Sequence, residues 1–150
     1  MTPRLAVLTR FHKRMIYLTI SLLWFSGALW FYWQISGQSA NDFGSGTHPG
    51  QAMIMRIHGA IAMAFLVLIG TLLPLHMRPG WRQGDHRVSG GSVFGTCLLL
   101  ILTGWGLYYI GDETLRHSIS LAHTYVGLAL PLVITAHVML ARSRIKHLQH

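Results

Sequence analysis

With 150 residues, of which 51% are hydrophobic and only 11% charged, the chain has the length of one domain and a composition far from that of a soluble globular protein. Its net charge of +8 does not indicate nucleic-acid binding, because the Lys and Arg residues cluster at the ends of apolar runs and no basic face interleaved with aromatics is present. One cysteine, Cys97, leaves no intrachain disulfide and no Cys-x-x-Cys-His attachment for haem.

The basic N-terminal stretch leads into an apolar run over 15–35, long enough for a helix to cross the hydrocarbon core. Its last residues, Trp30-Phe31-Tyr32-Trp33, form an interfacial aromatic belt, and they lack the small-residue site expected of a cleaved signal peptide. A Gly-, Ser- and Asn-rich loop over 36–50 follows, in which His48 is expected to be solvated. The second helix is predicted over 51–77 and stops at Arg78-Pro79-Gly80, with Pro74 bending its last turns. After a short basic connection the third helix covers 88–110, where Gly90, Gly91, Gly95, Gly104 and Gly106 allow close approach of a neighbouring backbone or a flat cofactor. Asp112 or Thr114 is positioned to cap the fourth helix, predicted over 115–141 and interrupted by Pro131.

The expected fold is therefore all-α, an integral membrane four-helix bundle in contact with lipid. The cations divide unequally between its two sides. Arg4, Arg10, Lys13 and Arg14 precede the first helix, Arg78, Arg82 and Arg87 lie in the second connection, and Arg142, Arg144 and Lys146 follow the fourth helix. Only Arg56 and Arg116 fall on the opposite side, so the positive-inside rule places both termini in the cytoplasm. That topology fits a multi-pass protein of a bacterial inner membrane.

Two of the apolar segments each carry two histidines, His58 and His76 in one, His123 and His137 in the other. Imidazoles in a membrane span are costly and by default mark a functional site. The two helices cross in the same direction, so His58 and His123 share the outer depth and His76 and His137 the inner one. On an unbroken α-helix the 18 residues between His58 and His76 make about five turns, and the 14 between His123 and His137 fall roughly 40° short of four. Each helix then presents both imidazoles on one face. The separations along the axis are about 27 Å and about 21 Å, a mismatch that tilt or the proline bends must absorb.

A neutral imidazole nitrogen is a good metal ligand in an apolar setting. Two facing imidazoles would fill both axial positions of a haem iron, and an iron so closed performs one-electron transfer. Cores of helix bundles are established places for such sites. Zinc would need about four ligands converging at one point, whereas these pairs lie at opposite depths. Interhelical hydrogen bonding is the plain alternative for each histidine. His86 and His117, which flank membrane helices, are the substitutes for a proposed ligand. Arg56 and Arg116 on the outer side, and Arg78 and Arg87 on the inner side, are candidates to pair with haem propionates. Gly59 and Gly127, close to the outer histidines, would leave room for porphyrin faces.

With four membrane helices, paired histidines, and the motifs Arg56-Ile57-His58-Gly59 and Leu121-Ala122-His123-Thr124-Tyr125-Val126-Gly127, the chain resembles the four-helix dihaem cytochromes b. It is most similar to the group that includes bacterial cytochrome b561 and the cytochrome b subunits of membrane hydrogenases and formate dehydrogenases. The resemblance covers about residues 50–141, including the small-residue-rich stretch from Asp85-His86-Arg87 to Gly104-Trp105-Gly106. It implies two non-covalent, bis-histidine haem b groups and electron transport in a respiratory chain, with a quinone and a periplasmic cytochrome or other redox subunit as partners. Some members take a ligand from their first helix, and this chain has no histidine in the apolar run over 15–35.

Short loops leave no space between the helices for a catalytic domain, so an electron-transfer subunit is expected ahead of a complete enzyme. A haem-free membrane anchor and a stand-alone quinol-linked reductase are the competing functions. Thr71, Thr103, Thr124 and Tyr125 are groups a quinone could use, but they are equally ordinary interhelical glue. No quinone site is assigned to them. No Asp or Glu falls within a predicted span, which argues against an acidic proton relay.

Overall fold

The computed structural model describes residues 9–37, 48–83 and 87–147. Arg4, most of the first loop, Asp85, His86 and His150 lie outside the described residues. The chain is all-α, with α1 at Arg10–Gly37, α2 at Gln51–Leu72, a π-helical turn at Leu73–Met77, α3 at Arg78–Gln83, α4 at Arg87–Tyr109 and α5 at Glu113–His147. No strand occurs among the described residues. Four stretches are long and apolar enough to cross a membrane: Arg10–Ser36, Gln51–Arg82, Arg87–Tyr109 and Glu113–Ser143.

The four expected spans are thus present, with shifted ends. α1 starts at Arg10 instead of residue 15, and α5 continues to His147 instead of stopping at 141. Both extensions carry Lys and Arg, which are good helix formers.

Two compact units divide the chain, Met1–His76 and Met77–His150. In the first, α1 packs against α2, and the order of their cross-helix hydrogen bonds makes them antiparallel. Near the loop, Gln51 is buried and its Nε2 donates to Gln34 Oε1 at 3.1 Å. An amide pair of this kind satisfies polar groups that water cannot reach. His48 is exposed, as expected of a loop residue, and it also has partners. Its ring stacks on Trp33 at 4.1 Å between centroids and 10° between planes, and its Nδ1 accepts the Gly50 amide at 3.0 Å. A Cβ at Gly50 would stand 3.0 Å from the Trp33 ring, so a larger residue there would have to displace the indole by a few tenths of an ångström.

The π turn has a local cause in Pro74. Proline has no N–H to offer the carbonyl four residues back, and its ring collides with that carbonyl in α-helical geometry. Widening to an i→i+5 turn relieves the collision without breaking the helix. The bend expected at Pro74 therefore takes the form of a changed register.

In the second unit α4 packs against α5. Arg87 Nε donates to the Trp81 carbonyl at 3.0 Å, and the Trp81 indole lies close to Gly91. These contacts hold α3 against the start of α4. Asp112 caps α5, its Oδ1 accepting the Leu115 amide at 2.7 Å, in the manner of a short polar residue ahead of a first helical turn. Cys97, Gly106 and Leu130 are buried within this unit.

Buried side chains are few, and large apolar ones stand widely exposed, Val67 at 70% and Leu132 at 74%. Such a surface could not be left in water. It is consistent with apolar helices contacting lipid.

Candidate histidine sites in the membrane helices

In the first hairpin His58 sits in the third turn of α2, half-buried, facing α1. Its Nδ1 lies 2.8 Å from the hydroxyl of the buried Ser26. The next residue, Gly27, gives the ring its space: a Cβ there would stand 3.5 Å from His58 Cε1. Ser26 also donates to the Leu23 carbonyl at 3.0 Å.

The second hairpin contains the same arrangement twice. Thr103 on α4 lies 2.9 Å from His123 Nδ1 on α5, and a Cβ on Gly104 would approach His123 Cε1 to 3.3 Å. Ser89 lies 3.0 Å from His137 Nδ1, with Gly90 a Cβ-distance of 3.6 Å from His137 Cε1. Thr103 and Ser89 are 14 residues apart on α4, and His123 and His137 are 14 apart on α5. Antiparallel helices keep matched steps opposite each other, so both sites form from one register. They are separated by about 21 Å along the helix.

Three of the four candidate ligands thus share one local structure: a Ser or Thr hydroxyl at Nδ1, and a glycine next in sequence beside Cε1. Ser26, Gly27 and Ser89 were not expected in this role; Thr103 was expected as a quinone contact or interhelical glue, and Gly90 and Gly104 as points of close approach for a backbone or flat cofactor. The legible signal was a Ser/Thr-Gly dipeptide within a predicted helix, repeated 14 residues apart on α4.

His76 differs from the other three. It is exposed and lies inside the π turn. One π turn adds about one residue to the α-helical register, so a position beyond it is turned by up to about 100°. His76 lies inside that turn, so uniform α-helical arithmetic over the 18-residue step from His58 does not fix its face.

Arg56, Arg78 and Arg116 are exposed near helix ends, where long side chains reach polar surroundings. Arg87 is exposed and tied to Trp81. Gly59 is half-buried beside His58, while a Cβ on Gly127 would meet Leu100 Cδ2 at 3.7 Å, which makes it a contact between α5 and α4. His117 is exposed, and the alternative ligand His86 lies outside the described residues. Among the described residues no group of three or more His, Cys, Asp or Glu side chains converges. An axial haem site requires only two imidazoles.

The donor chemistry suits a haem iron. Each clamped ring is held through Nδ1, and metal-binding histidines commonly give their second nitrogen to such an orienting partner. No protein-family model, curated protein or solved structure matches the chain.

Proposed function

We propose that the protein is a b-type cytochrome of a respiratory membrane, a subunit that carries electrons across the bilayer on two non-covalently held haem b groups. His58 and His123 would hold the outer haem, and His76 and His137 the inner one. The observation that carries this reading is the repeated clamp on three membrane histidines, each held at Nδ1 by a hydroxyl. Interhelical glue alone has no need of the same ring nitrogen and an adjacent glycine each time.

When bound, a bis-imidazole haem supplies one-electron transfer at a potential tuned by its ligands and its apolar surroundings. The chain's own residues hold the imidazoles and exclude water, and Arg56, Arg116, Arg78 and Arg87 are placed to neutralise propionates. The charge asymmetry supports cytoplasmic termini in a bacterial inner membrane. Quinone on one side and a periplasmic redox subunit on the other are the proposed partners.

A pyridine-haemochrome assay on the purified chain tests this directly. The expected result is about two haem b per chain, as in other helix bundles that build cofactor sites from facing side chains. A correctly folded, colourless protein would leave a haem-free anchor as the function.

A further inference from the structure

The two hydroxyls nearest the outer histidines have a second partner that decides their role. Thr103 Oγ1 donates to the Leu99 carbonyl at 2.7 Å while lying 2.9 Å from His123 Nδ1. Ser26 Oγ donates to the Leu23 carbonyl at 3.0 Å while lying 2.8 Å from His58 Nδ1. A hydroxyl has one proton and two acceptor positions, and a carbonyl can only accept. With the proton given to the backbone, the hydroxyl can meet the imidazole only as an acceptor. Nδ1 must then carry its hydrogen.

The opposite arrangement would turn the hydroxyl proton toward the ring. It would forfeit the hydroxyl's hydrogen bond to a helix carbonyl. A neutral histidine with its hydrogen on Nδ1 has its lone pair on Nε2.

We propose that Ser26 and Thr103 are positioning residues that set the tautomer of His58 and His123, each relaying a helix carbonyl to Nδ1–H so that Nε2 is the nitrogen offered to iron. This rests on the haem assignment and adds to it which nitrogen coordinates and what selects it. Glycine completes the device. Gly27 and Gly104 keep the flank beside Cε1 clear, so the ring can lie close to the helix that carries its hydroxyl. The backbone carbonyls of Leu23 and Leu99 need no particular side chain, which is why no sequence motif announces them.

The experiment uses the full-length protein in detergent, with potentiometric titration and low-temperature EPR of the ferric haems. Ser26→Ala and Thr103→Val remove the hydroxyl, the second with little change of shape, whereas Ser26→Thr and Thr103→Ser retain it. The expected result is a shifted midpoint potential and shifted low-spin g-values for one haem in the first pair, restored in the second. Loss of that haem with an unchanged far-UV spectrum supports the same role. If both haems are present and neither signal moves on removal of either hydroxyl, the tautomer relay is overturned and the haem assignment stands. A haem-free wild-type chain overturns both.

Discussion

The two hairpins solve the same problem with different degrees of regularity. In α4 and α5 both histidines are clamped, and one antiparallel register places Ser89 opposite His137 and Thr103 opposite His123. In α1 and α2 only His58 is clamped, by Ser26, and the second histidine lies exposed inside the π turn. A membrane histidine is thus held where the register sets a hydroxyl opposite it, and a local change in helix type at Pro74 takes the place of that register around His76.

Replacing the ligands gives the largest expected effect and could break this equivalence. His58→Ala and His123→Ala should each lower the haem content from about two per chain to about one. The same single haem should survive in both variants, identified by its potential. Survival of different haems would mean that His58 and His123 do not serve one iron.

A smaller effect is expected from Pro74→Ala, which returns an N–H to the π turn and removes the reason for it. The turn should tighten to α-helix and swing His76 by up to about 100°. Partial loss of the inner haem, with the outer haem unchanged, is the expected outcome by haemochrome assay and redox titration. An unchanged inner haem would remove His76 from the ligand set and direct attention to another histidine.

The smallest effect distinguishes the two outer clamps. A Cβ at Gly104 would press on the His123 ring at 3.3 Å, whereas one at Gly27 would reach ordinary contact at 3.5 Å. Gly104→Ala should therefore cost about 1 kcal/mol through overpacking and alter one haem's absorption band. Gly27→Ala should be neutral or stabilising by about 0.5 kcal/mol, because glycine is a poor residue in mid-helix. Thermal unfolding in detergent, followed at the haem band and by circular dichroism, measures both. Equal effects would mean that the glycines serve backbone packing alone.

Much of the architecture was legible in the residues. The apolar runs located all four spans, since a membrane helix needs only length and hydropathy. Asp112 was readable as a cap because the residue type and its place before a helix suffice. His48 is exposed as expected, but a loop composition cannot disclose that Trp33 stacks on it. The face of His76 was not legible, since uniform α-helical arithmetic does not include a π turn. The clamps escaped notice because Ser26 and His58 are 32 residues apart, and Thr103 and His123 are 20 apart.

Sequence by itself determined the membrane class, the number of spans and which histidines lie within them, all properties of single segments and their transfer from water. Only the tertiary structure decided which hydroxyl faces which imidazole and which glycine lies beside the ring. Those depend on the register between two helices, because the groups concerned meet only when the hairpins close.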